Sequence, residues 1–123
     1  MIDERPLSIL VVEPHAKFRT LVSRRLEADG HQITDVSDGQ SALEALREGT
    51  WQMLWVHPGF GDVSWEELAQ KAREQAPECF ITLLSDVAEG PQCPIGPWVD
   101  VILPRPWKES ELKEVLAGAA ARV

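Results

Sequence analysis

The sequence predicts an α/β fold with a doubly wound, five-stranded parallel sheet, and three observations point to it. Short apolar runs stand at Leu7–Val12, Met53–Val56 and Cys79–Leu84, the one at Met53–Val56 unbroken, which is the pattern of a strand buried on both faces. Between them the apolar residues change to helical spacing, as at Phe18, Leu21, Val22 and Leu26. The connections are short, so each strand–helix–strand unit closes as a right-handed crossover and the helices cover both faces of the sheet.

Taken in order, the first strand ends at Glu13-Pro14, and the helix after it carries Lys17, Arg19, Arg24 and Glu27 on its polar side, with Gly30 as its C-cap. Ile33 and Val36 mark a second strand. Asp38-Gly39 is a turn signal, and Ala42, Leu43 and Leu46 give a short amphipathic helix closed by Gly49. The third strand is Met53–Val56, expected to end on His57 before a Pro-Gly-Phe-Gly turn. Ser64 is the expected N-cap of the next helix, with Glu66 and Glu67 complementing the dipole, Leu68, Ala69 and Ala72 facing inward, and Pro77 closing it. Ser85 stands at the carboxyl end of the fourth strand. The stretch from Asp86 to Trp98 holds three prolines and two glycines and reads as loop. Val99–Leu103 is the fifth strand, broken by Pro104-Arg105-Pro106, and a last helix is expected over Glu109–Arg122, with Leu112, Val115, Leu116 and Ala119 inward.

The 123 residues suffice for one core and are expected to form a single domain, 1–123. With 12 basic and 20 acidic residues the formal charge is -8, a balance that repels DNA. No apolar run approaches membrane-spanning length, and MIDERPL is too acidic for a secretory signal, so a cytoplasmic location is expected and no membrane partner. Cys79 and Cys93 match no metal or redox spacing and are expected as reduced thiols. EPHAKF after the first strand contains no glycine, which argues against a phosphate-cradling loop and against an enzyme built on one.

In open α/β sheets the chemistry sits at the carboxyl ends of the strands. The stretches ILVVE, SDGQSALEAL, MLWVHPGFGD, FITLLSD and VDVILPRPW, in this order and spacing, resemble the receiver domains of two-component response regulators. The resemblance implies a flavodoxin-like sheet of order 2-1-3-4-5, here with the fourth helix shortened or lost. In typical receivers an acidic pair after strand one holds Mg²⁺, an Asp ending strand three accepts a phosphoryl group, a Ser or Thr ends strand four, and a Lys-Pro follows strand five. Mapped onto this chain, these positions are Glu13-Pro14, His57, Ser85 and Arg105-Pro106. Only the hydroxyl position is kept. The aromatic switch position of strand five falls on Ile102, and Pro106 is expected to follow a cis peptide bond.

Imidazole is neither a carboxylate nucleophile nor an oxygen ligand, and Glu13 alone is a poor Mg²⁺ site, so Mg²⁺ binding is expected to be lost and no cofactor is expected. Arg105 offers a planar fork suited to Glu13. The expectation is a pseudo-receiver without catalytic residues that binds protein partners in signalling independently of phosphorylation. The alternative is a metal- or ligand-binding sensor using His57, His15 and Glu13 as an N/O cluster. Of the five tryptophans, Trp55 is expected in the core. Trp65, Trp98 and Trp107 are lids on the core or interface anchors, and Trp98, Ile102 and Trp107 mark the expected surface for a partner or a homodimer, on the face of the fifth strand and last helix.

Overall fold

The computed structural model of the chain describes residues 6–58, 62–86, 99–105 and 107–121. In chain order the elements are β1 Ser8–Val12, α1 Ala16–Ala28, β2 Gln32–Val36, α2 Gly39–Glu48, β3 Met53–Val56, α3 Trp65–Gln75, β4 Phe80–Asp86, β5 Val101–Arg105 and α4 Glu109–Ala120. All strands are parallel, in the order β2-β1-β3-β4-β5.

Side chains alternate across the sheet and feed two cores. Leu10, Val12, Leu54, Val56, Ile81 and Leu83 pack beneath α2 and α3 with Leu46, Trp65 and Leu68. Ile9, Val11, Met53, Trp55, Leu84 and Leu103 pack on the other side with Val22, Leu26, Leu112 and Val115 of α1 and α4. Every residue of β3 is buried because the strand feeds both cores, which is why its sequence shows no alternation. Trp55 is fully buried; its indole N–H donates to Met53 Sδ at 3.0 Å, and the Trp107 ring meets it edge to face at 6.0 Å and 84°. Trp65 is buried and Trp51 half-buried, its N–H donated to the Ala45 carbonyl at 3.1 Å.

Several expectations need correction. The inward face of α1 is Val22, Ser23 and Leu26, whereas Leu21 is 54% exposed and Phe18 37%. Ser23 takes an inward position because its hydroxyl donates to Asp35 on β2 at 2.7 Å, and Arg19 lies near the same face because its guanidinium reaches backbone carbonyls; Leu21 is therefore turned outward. Asp38-Gly39 is the start of α2 rather than a turn. β3 ends at Val56, with His57 just past it. β4 runs one residue beyond Ser85, and β5 is shifted two residues, from Val99–Leu103 to Val101–Arg105. The shift has a cause at Asp100: its carboxylate accepts the Ile81 N–H at 2.7 Å and pairs with Arg73 of α3 at 2.8 Å, so a side chain holds the entry to the strand. Pro104 pairs with Ser85 inside β5 instead of breaking it, in an edge strand, where a missing N–H is best tolerated. The expected loss of the helix between β4 and β5 concerns residues 87–98, outside the described residues, as is Arg122 at the expected end of α4.

Candidate functional site at the carboxyl rim of the sheet

β1 and β3 lie side by side and end together, so their last residues meet on one rim. Glu13 donates its N–H to the Val36 carbonyl at 3.1 Å and His57 donates its own to Val12 at 2.9 Å, extending the parallel ladder one step past each strand. This register brings the Glu13 and His57 side chains together. Glu13 is fully buried, the His57 side chain is 13% exposed, and His57 Nδ1 lies 3.8 Å from Glu13 Oε2, within ion-pair range and beyond hydrogen-bond distance.

The loop after β1 is held from behind by Arg19, which donates to the Glu13 carbonyl at 2.9 Å and the Pro14 carbonyl at 3.5 Å. Mg²⁺ takes a near-octahedral set of oxygens, usually with one or two carboxylates. The described donors are one carboxylate beside an imidazole and two carbonyls engaged by a guanidinium, a set that does not fit that ion. His15 is exposed at the N-cap of α1, and its ring packs against Phe18, 5.0 Å between centroids. Among the described residues no three His, Cys, Asp or Glu side chains gather as they would around a metal, so the expected cluster of His57, His15 and Glu13 does not form.

Ser85 is half-buried on β4, next to β3 in the sheet. The Arg105 side chain, Pro106 and Trp98 lie outside the described residues, and with them the expected Glu13–Arg105 pair and the cis peptide. Ile102 packs toward the α2/α3 core and Trp107 toward the α1/α4 core, so the sheet separates two of the three expected interface residues.

Sequence reading missed the fastening of the loop that follows His57. Asp62 accepts the N–H groups of Gly39 at 3.0 Å and Gln40 at 2.9 Å, and Asp38 accepts that of Ser41 at 2.7 Å, so α2 begins under two carboxylates. The Gly39 amide holds the Asp62 carboxyl below its ordinary range, helped by Gln40; the Ser41 amide does the same for Asp38. A Cβ at Gly39 would stand 2.5 Å from Val63 Cβ, so this close approach requires glycine. The Asp38 cap had a signal in the Asp-Gly that precedes a helical pattern. Asp62 had none, since its partners lie 23 and 22 residues away.

The chain is similar to the response regulator receiver protein CpdR of Brucella abortus, 31% identical over 86 residues that span 68% of this chain and 72% of that protein. This chain belongs to the response regulator receiver family. The receiver is also similar to the probable transcriptional regulatory protein TcrX of Mycobacterium tuberculosis, 29% identical over 68% of this chain and 36% of that protein, so it spans about a third of that longer relative. Among solved structures, the response regulator TrrA of Thermotoga maritima, crystallised with Mg²⁺ and BeF, superposes with a TM-score of 0.79 at 22% identity, covering 92% of this chain and 98% of that one. No protein-family model matches the chain. The flavodoxin-like receiver fold and the place of this receiver in two-component signalling follow. Among the described residues no helix is long and apolar enough to cross a membrane.

Proposed function

We propose that this receiver is a pseudo-receiver: a single domain, 1–123, that acts in signalling by binding protein partners and does not pass through a phosphorylated state. The observation that carries this reading is His57, an imidazole 3.8 Å from the buried Glu13 carboxylate at the strand end where the resemblance puts a phosphate-accepting Asp. An imidazole there offers no carboxylate to phosphorylate and no oxygen to a cation. Glu13, Pro14, His57, Ser85, Arg105 and Pro106 are then a degenerate phosphorylation site, without catalytic role.

The partner is a protein rather than a nucleic acid, since the net charge of -8 repels a polyanion, and the location is the cytoplasm. The test is incubation of the intact protein with a small-molecule phosphodonor and Mg²⁺, followed by intact-mass measurement at neutral pH. No stable phosphoryl increment is expected. A stable increment that disappears in His57→Ala or Ser85→Ala overturns the reading.

A further inference from the structure

At the opposite end of the sheet from the crevice, the turn between α1 and β2 aims the third histidine, His31, at the chain's entry into β1. The Gly30 N–H bonds to the Glu27 carbonyl at 2.9 Å and the His31 N–H to the Leu26 carbonyl at 3.2 Å, with Gly30 at φ 93°; this is the Schellman arrangement that closes a helix. It fixes the backbone of His31 and so the direction of its ring. His31 Nδ1 accepts the N–H of Leu7 at 3.1 Å, while the Leu7 carbonyl accepts the Gln32 N–H at 2.9 Å.

Both backbone groups of Leu7 therefore hang on residues 31 and 32, and one of the two bonds exists only while Nδ1 carries no proton. We propose that His31 is a proton-operated latch: neutral, it holds the residue that leads into β1; protonated, it lets go of Leu7. Leu7 is a core residue, 1% exposed, so release there uncovers apolar surface at the base of the α1/α4 core.

The charged group that bears on the ring among the described residues is Asp29, the C-cap of α1; it favours the proton but is itself bridged to Arg25 at 3.2 Å, which in turn pairs with Glu109 of α4. The chain leading into β1 presents only the Leu7 backbone at this bond, and the neighbouring Gln32 is neutral. Partial burial outweighs Asp29 and lowers His31 from its ordinary 6.5. The sign follows: the unfolded chain takes the proton first, so the latch's contribution is whole above 6.5 and is lost as pH falls through the folded value.

The test is site-resolved amide exchange by NMR on the whole chain, corrected for intrinsic rates. Between neutral pH and pH 5, protection of Leu7 is expected to fall by about tenfold or more while Leu10 inside β1 keeps its own. In His31→Gln, whose side-chain oxygen accepts at every pH, the Leu7 protection is expected to be flat. Constant Leu7 protection in the wild type, parallel loss at Leu10, or an unchanged pH response in His31→Gln each overturns the latch.

Discussion

α1 and α2 begin on the same rim of the sheet, one after β1 and the other after β2, and they begin differently. α2 starts under Asp38 and Asp62, two carboxylates that accept three of its first backbone N–H groups. α1 starts at His15, which makes no side-chain cap, has no acid in its first turn, and exposes Phe18. The same rim thus has one helix start fastened to the loop that follows His57 and one that is not. The two sides of the crevice are held by different means: the β3–α3 side is tied to α2 by the Asp62 carboxylate, which accepts backbone amides 23 and 22 residues earlier, while the β1–α1 side is held by Arg19 grasping carbonyls.

The largest expected effect comes from wedging the fastened start open. Gly39→Val puts its Cβ into Val63, and an overpacking cost of about 1–3 kcal/mol is expected in chemical denaturation. Cutting the tie instead, Asp62→Ala should lower the melting temperature and speed amide exchange at Gly39 and Gln40 while leaving the first turn of α1 unchanged. If both helix starts respond alike, the contrast fails.

Acid should reveal the same asymmetry without a mutation. Asp38 and Asp62 titrate below their ordinary 3.8 in the folded chain, so the unfolded chain binds protons first. The contribution of the caps is complete above that value and is lost as pH falls through the folded ones. Amide exchange at Gly39, Gln40 and Ser41 is therefore expected to accelerate in acid before that of Arg19, whose N–H bonds to the His15 carbonyl. The smallest effect is a gain: His15 has the extended backbone of an N-cap, and His15→Ser is expected to stabilise the chain by roughly 0.5–1 kcal/mol, read from its thermal melt.

Much of this was legible in the sequence where the cause is local. The unbroken run Met53–Val56 announced the central strand, and Ser64 as N-cap, with Glu66 and Glu67 in the first turn, announced the start of α3, where the Glu67 N–H does bond to the Ser64 hydroxyl at 3.1 Å. That Glu13 and His57 stand at strand ends was legible because the apolar runs stop there. What was not legible depends on partners distant in sequence. Leu21 satisfied the helical spacing yet faces outward, because Ser23 and Arg19 found acceptors on Asp35 and Glu13 that no periodicity could reveal. Asp100 delays β5 through Ile81 and Arg73 in the same way.

The two margins of the sheet have a consequence for handling the protein at high concentration. β2 is a short outer strand whose Gln32, Thr34 and Asp35 are exposed, and β5, the opposite border, carries Pro104, which has no amide hydrogen to offer a newcomer. Polar side chains on one border and an imino acid on the other make poor templates for an added strand. Molecules crowded together are accordingly discouraged from stitching their sheets into fibrils.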